Sequence, residues 1–457
     1  MVGTDTGGEE QFGYITPENL GLFTDLYELT MLQGYHAADH NPRATFSLFF
    51  RRLPADRGYL LAAGLEQAMA YIEDLSFSDR AIEYLRNRGF DEEFLTRLEE
   101  FEFTGTVRAL PEGTPVFPDE PLLEVTAPIF EAQLFETLLL NQVGFQTLVA
   151  SKAARMREAV ERYGDDQSLV DFGSRRAHGT DAGMKAARAA AIGGFDGTSL
   201  VAAGEEFSLP VYGTMAHSWV QSFEDEHEAF ETFLDQYHDD TILLVDTYDT
   251  VEGAKLAMDV AENHDWEVGV RLDSGDLAPL SKDVAEIVDG CPIFVSSSMD
   301  EYKIADFLRD GGVATGFGPG TALTTSGDAP SLDLVYKLTE IERDGEMRPS
   351  MKLSSGKVTY PGAKSIRRVG EDGYERDILA LRGEEGLGEE QLVLVFEDGN
   401  RVADPPELGA IADRTGTRRR NLPDDCRTLR SPATYPVEIS DELRQLTDDL
   451  QAELEAR

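Results

Sequence analysis

VGVRLDSGDL, residues 268–277, decides how the middle of this chain reads. A short valine-rich run, too brief for a helix, stops at Asp273-Ser274-Gly275 and gives way to a helix-like stretch from Leu277. That is the text of a buried strand, a tight turn and a helix. The same phrase recurs in SLVDFG (168–173), TSLVAAG (198–204), LPVYGTMAH (209–217), TILLVDTYD (241–249), PIFVSSSMD (292–300) and GVATGFGPG (312–320). Six or seven buried strands that each end in small or polar residues predict a parallel α/β architecture. A barrel of this kind gathers its chemistry at the carboxyl ends of its strands. An open doubly wound sheet fits the pattern equally well.

The flanking text differs. Residues 1–18 are polar and Gly-rich and read as a loose arm. Helical spacing follows from Leu22 to His36, with Asp25 near its start, where a carboxylate suits the helix dipole. ATFSLFFRRLP (44–54) reads as a strand and GLEQAMAYIEDL (64–75) as an amphipathic helix. The stretch 101–125 alternates β-rich runs with Pro and Gly turns, predicting a small sheet, and 130–160 is a long helical pattern leading into a second domain. Strand-like text returns after residue 331, including QLVLVFEDGN (391–400), and a charged helix starts near Ser440. The expected division is an arm over 1–18, a mixed α/β domain over 19–140, a catalytic α/β barrel over 141–365, and a segment over 366–457 that packs back on the N-terminal domain. A chain of 457 residues accommodates two or three domains.

Charge sets the environment. Asp and Glu number 86 against 41 Lys and Arg, a net charge of −45 spread along the chain. Such a surface repels nucleic acid and anionic lipid, so neither is an expected partner. Self-repulsion would strain the fold in dilute buffer; at about 1 M salt the screening length falls to about 3 Å and the strain largely disappears. A salt-rich cytoplasm is the expectation. The N-terminus shows no basic start followed by an apolar run, and no stretch approaches membrane-span length, so a soluble, cytoplasmic protein is expected. Cys291 and Cys426 lie far apart, form no CxxC and are expected to be reduced.

Several constellations sit at the strand ends. In DFGSRRAHGTDAG (171–183), Arg175 and Arg176 could clamp a carboxylate or phosphate, although an Arg pair on an exposed helix often binds nothing. In VGVRLDSGDL, Arg271 offers a cation and Asp273 and Asp276 offer carboxylates for a metal or for sugar hydroxyls, with a capped turn as the plain alternative. GFGPGTALTTSGDAP (316–330) is a Gly-rich loop with hydroxyls and no GK[ST], able to take a phosphate or simply to turn. In GTMAHSWVQSF (213–223), His217 is the histidine placed to act as acid, base or phosphoryl acceptor, unless it is structural. His227 and His238 lie in acidic helical text and read as surface residues, and His178 borders the Arg pair. Tyr27, in TDLYELTMLQGY (24–35), could stack on an aromatic substrate or belong to a core.

Taken in order, TDLYELTMLQGY, DFGSRRAHGTDAG, IGGFDGTS, GTMAHS, RLDSGDL, GTALTTS, VYKL and KLSSGKVTYPG resemble the nicotinate phosphoribosyltransferase family. The resemblance runs over roughly residues 22–365, and LPDDCRTLRSPATYPVEIS extends it into the tail. It implies a type II phosphoribosyltransferase fold, an irregular parallel α/β barrel with a second mixed α/β domain. It implies that nicotinate and phosphoribosyl pyrophosphate give nicotinate mononucleotide and pyrophosphate, in NAD biosynthesis or salvage, driven by ATP hydrolysis through a phosphohistidine at His217. Tyr27 would stack on the pyridine ring, with Thr214 and Arg271 beside it. Arg175 would hold anionic substrate or pyrophosphate, and Gly320 with Thr321 the ribose 5-phosphate. Asp273 would face the ribose hydroxyls or Mg²⁺, and Asp276 would share that task. Mg²⁺ is the implied cofactor, ATP a co-substrate and a homodimer the implied assembly, with Tyr27 serving the partner's barrel. A C-terminal zinc-binding cysteine cluster known in some relatives is not present. The rival readings are a nicotinamide phosphoribosyltransferase, a quinolinate phosphoribosyltransferase and a non-catalytic pyridine-nucleotide binding protein.

Overall fold

A computed structural model describes residues 14–237, 241–264, 268–353 and 359–456. Six strands form one parallel sheet in the order Gly197–Thr198, Ser168–Asp171, Gly316–Phe317, Ile293–Val295, Val268–Leu272, Thr241–Leu244. A single parallel bridge from Thr198 to Val211 extends it by one position. The order is cyclic: the last strand in sequence, Gly316–Phe317, lies beside the first, Ser168–Asp171. A doubly wound sheet would instead reverse its strand order at a switch point. The arrangement is therefore a barrel, unpaired along one seam between Val211 and Thr241 and tied there by the Thr214 hydroxyl donating to the Ile242 carbonyl.

The strands are short, two to five residues each. Thr250–His264, Leu277–Val288 and Glu301–Arg309 each follow a strand, as a parallel connection requires. The reading of TSLVAAG as a strand is corrected: only Gly197–Thr198 pairs, and Val201–Phe207 is helical. Alanine and glycine have little β preference, so this apolar run takes the helix. Likewise LPVYGTMAH contributes one bridge rather than a ladder.

A second, antiparallel sheet is ordered Glu346–Pro349, Leu334–Arg343, Arg43–Phe50, Leu123–Pro128, Thr106–Ala109, Val393–Glu397, Asn400–Arg401. The expected 141–365 span thus carries strands of both sheets, because Leu334–Arg343 leaves the barrel to pair with Arg43–Phe50. A third sheet, Glu389–Glu390, Lys364–Val369, Arg376–Leu381, Val437–Ile439, completes the C-terminal part. Between the sheets runs the helix Glu136–Tyr163, buried over most of its length. Its Ala150-Ala153 face admits Gly193 so closely that a Cβ there would lie 2.4 Å from both the Ala150 carbonyl oxygen and the Ala153 side chain. Cys426 is buried and neither cysteine forms a disulfide.

One buried cluster predicts a pH effect. Glu120 is 0% exposed beside Asp377, which binds Arg368 through two hydrogen bonds of 2.8 and 2.6 Å. Burial first, and then the Asp377 charge, push the Glu120 carboxyl well above its ordinary range against the opposing pull of Arg368. The folded state therefore holds a proton that the unfolded chain releases near about pH 4.3. Above that pH, stability falls with rising pH until Glu120 itself ionises. Glu120→Gln should flatten this decline, so its apparent melting temperature should drop less than wild type as the pH rises above the ordinary carboxylate range.

Candidate active site

The loops that follow Ser168–Asp171, Gly197–Thr198, the Val211 bridge, Val268–Leu272, Ile293–Val295 and Gly316–Phe317 open on one cavity of about 770 Å³. Its position follows from the strands: each apolar run ends where its side chains stop being buried, and the next small or charged residue faces the mouth. Arg175 enters on the 3-10 turn Ser174–Arg176 that follows Ser168–Asp171. The buried Asp171 shapes that turn, accepting from the Gly173 N–H at 2.7 Å and from the Thr198 hydroxyl at 3.1 Å. Burial raises the Asp171 carboxyl despite these two donors.

His217 begins the short helix His217–Val220, at the seam. Its Nδ1 lies 3.2 Å from the Thr247 hydroxyl, and its Nε2 lies 4.0 Å from Asp246 Oδ1 and 3.9 Å from Asp273 Oδ2. The imidazole is thus held across the seam, with one nitrogen toward a hydroxyl and the other toward two carboxylates. Asp246 is buried and fixes the neighbouring turn: its Oδ2 accepts from the Asp273 N–H at 2.9 Å and the Ser274 hydroxyl at 2.7 Å. Its Oδ1 is buried with no hydrogen-bond partner among the described residues. Asp273 also accepts from the Ser296 hydroxyl.

Arg271 is a half-buried cation on the cavity wall. Its Nη2 donates to the Met215 carbonyl at 3.2 Å, while its Nε is buried with no partner among the described residues. Burial holds its pKa below the usual guanidinium value and Arg175 adds to this, against the pull of Asp273 and Asp246. The guanidinium keeps unused donors that an anion would satisfy. On the far wall, Gly318, Gly320 and Thr321 line the mouth where the helix Thr321–Thr324 begins.

The structure brings together His217, Arg175, Asp273, Arg271, Thr214, Gly320 and Thr321 of the expected residues. Tyr27 and Asp276 are not part of this lining. Tyr27 sits on Leu26–Ala37, its side chain partly exposed beside exposed Leu26 and Met31. Burial and the neighbouring Glu136 and Glu28 raise its phenol pKa. Asp276 is exposed at the N-cap position of Leu277–Val288 and makes no side-chain cap hydrogen bond there. His178 is exposed and His227 pairs with Glu231 at 3.7 Å on the surface, while His238 lies outside the described residues. Residues 354–358 of KLSSGKVTYPG lie outside them as well.

The sequence reading missed Asp246, Thr247, Phe172 and the serines at 296–298, all but the first two on the cavity wall. One signal was available, since TILLVDTYD and PIFVSSSMD end in polar residues as the other strands do. Ser297 and Ser298 adopt positive φ of 86° and 50°, a strained backbone often kept at functional sites.

The chain matches three family models in succession: the nicotinate phosphoribosyltransferase N-terminal domain over 22–144, the nicotinate phosphoribosyltransferase family over 167–374 and the C-terminal domain of the same enzymes over 387–447. A nicotinate phosphoribosyltransferase of Mycobacterium tuberculosis is 43% identical, covering 92% of each chain. That of Bacillus subtilis is 39% identical over 93% of this chain and 94% of its own. The crystal structure of human nicotinic acid phosphoribosyltransferase superposes with a TM-score of 0.82 at 29% identity, covering 93% of this chain and 99% of that one.

Proposed function

The chain belongs to the nicotinate phosphoribosyltransferase family, and on that premise we propose how this cavity performs the transfer and why it is coupled to ATP. Membership makes it a transferase of NAD biosynthesis, joining nicotinate to phosphoribosyl pyrophosphate. The observation that carries the site assignment is the Arg271 guanidinium, whose buried Nε has no hydrogen-bond partner among the described residues, sharing one cavity with His217 and the Asp273 carboxylate. Arg271 receives the nicotinate carboxylate and Thr214 flanks the ring. Arg175 takes pyrophosphate charge, and the Gly320-Thr321 end takes the 5-phosphate. As pyrophosphate leaves, positive charge grows on the ribose ring, which the Asp273 carboxylate stabilises, while the arginines stabilise the leaving group.

Mg²⁺ fits this donor set. Asp273 and Asp246 Oδ1, which has no hydrogen-bond partner among the described residues, are hard oxygen ligands, and Mg²⁺ takes only one or two carboxylates before filling its shell with water and substrate phosphate. When bound it neutralises phosphate charge. Asp276, exposed on the helix start, is the less suitable ligand.

For the coupling, a ring nitrogen of His217 attacks the γ-phosphorus of ATP. The N–P bond forms as the bond to the bridging oxygen breaks, and ADP departs. Water later cleaves the N–P bond and releases phosphate. The hold of Thr247 on Nδ1 supports this role, because it fixes the ring's orientation. Exposed Leu26, Tyr27 and Met31 support a homodimer in which Tyr27 completes the partner's site. No described helix is long and apolar enough to cross a membrane, and the charge balance supports work in a salt-rich cytoplasm.

The test is product identification with phosphoribosyl pyrophosphate, Mg²⁺ and either nicotinate or nicotinamide in molar KCl. Nicotinate mononucleotide alone is the expected product; nicotinamide mononucleotide at a comparable rate would move the substrate assignment to the amide.

A further inference from the structure

We propose that Arg57, outside the cavity lining, is a positioning residue that sets the affinity for phosphoribosyl pyrophosphate by clamping the far end of the phosphate loop. The inference rests on the reading that Gly320 and Thr321 take the 5-phosphate.

After Gly318 the chain winds into a compact cassette. The Gly320 carbonyl accepts from the N–H groups of Leu323 and Thr324, each at 3.1 Å, and the Ala322 carbonyl accepts from Gly327 at 3.1 Å. The Ser326 carbonyl accepts from Ala329 at 2.7 Å. Ser326 turns the chain with a positive φ of 44°, a conformation that serine holds only when its surroundings enforce it. These hydrogen bonds tie the segment together, so whatever anchors its ends bears on where Gly320 and Thr321 lie.

The near end is tied to the barrel by the Phe172 N–H, which donates to the Pro319 carbonyl at 2.9 Å. The far end is tied by Arg57, from the turn before Leu60–Leu61, which is 3% exposed. Its Nη2 donates to the Ser326 hydroxyl at 2.7 Å and reaches Asp328 Oδ1 and Oδ2 at 3.2 and 3.3 Å. Its Nη1 donates to the Leu148 carbonyl on the long helix at 3.1 Å. One buried planar group thus joins the loop, the long helix and the antiparallel domain, and its fork geometry suits the task as an ammonium would not. Lys152 meets Asp328 at 2.7 Å but also serves Glu301 at 2.6 Å, and it does not reach Ser326 in any described hydrogen bond. Losing Arg57 frees the Ser326 hydroxyl and leaves Asp328 to Lys152 alone. A loop displaced by a fraction of an ångström presents the Thr321 hydroxyl and the N–H groups beside it poorly to phosphate.

Binding of phosphoribosyl pyrophosphate with Mg²⁺ by calorimetry, together with steady-state kinetics, tests this on Arg57→Met, Arg57→Lys, Ser326→Ala and Thr321→Val. Arg57→Met should weaken binding about tenfold and Ser326→Ala about threefold. The KM for nicotinate at saturating co-substrate should change little, and Arg57→Lys should recover part of the loss. Thr321→Val separates the two readings. If it weakens binding while folded Arg57→Met and Ser326→Ala do not, the clamp is wrong and the phosphate assignment stands. If Thr321→Val binds normally, the phosphate assignment fails and takes the clamp with it. Equal damage to both substrates and to kcat would mark a merely structural role and overturn the proposal. Should Arg57→Met not fold, Ser326→Ala decides alone, unchanged affinity overturning it.

Discussion

Arg271→Leu is expected to lower kcat/KM for nicotinate by about a thousandfold while leaving the enzyme folded. The guanidinium is half-buried at the cavity wall, spends one described hydrogen bond on the Met215 carbonyl and leaves its buried Nε without a hydrogen-bond partner among the described residues. Removing one partner of a buried charge pair costs about 3–5 kcal/mol, because the other charge is left unpaired, and each 1.36 kcal/mol is a factor of ten. In the variant the stranded charge is the nicotinate carboxylate. Nicotinamide carries no such charge, so any turnover of the amide should fall far less and the preference between acid and amide should collapse. The ratio of the two kcat/KM values checks this; an undiminished preference for nicotinate would remove Arg271 from the carboxylate site.

Asp273→Asn should lower kcat by a hundredfold to a thousandfold and leave the melting temperature nearly unchanged. The side chain is only partly buried, and its backbone N–H, which anchors it to Asp246 Oδ2 at 2.9 Å, survives the substitution. What disappears is a charge 3.9 Å from His217 Nε2, on the side of the cavity where the ribose would become positive. Preorganised electrostatic groups of this type are worth about 10²–10³ in kcat. The same variant should need more Mg²⁺ for half-maximal rate, measured by titrating the metal at fixed substrates. A normal kcat would show that Asp273 shapes the loop and does no more.

The site was legible in sequence because a parallel barrel writes its active site at the ends of its strands. His217, Arg271, Asp273, Arg175 and Thr321 each follow an apolar run, and the cyclic strand order brings those ends to one mouth. Asp246 was harder to see. It ends a strand like the others, yet its role comes from the next strand over, where it holds Asp273 and Ser274, and that neighbour relation is not local in sequence. Asp276 was overread for the opposite reason: it stands in the same motif as Asp273, three residues on, but the chain has already turned into a helix there and carries it outward. The strand pairing of Arg43–Phe50 with Leu334–Arg343 likewise left no local mark, since antiparallel partners can come from anywhere in the chain. Arg57 is the extreme case. In sequence it is one arginine in a turn, and only burial against Ser326 and Asp328 gives it a task.

The central claim is that His217 couples ATP to the transfer, and its most direct test is the rate of nicotinate mononucleotide formation with and without ATP, in molar KCl, for wild type and His217→Ala. The account predicts that ATP raises the wild-type rate and that the ratio of rates with and without ATP falls to one in the variant. ATP stimulation that survives in His217→Ala would contradict it, leaving the transferase in place and the phosphohistidine without support.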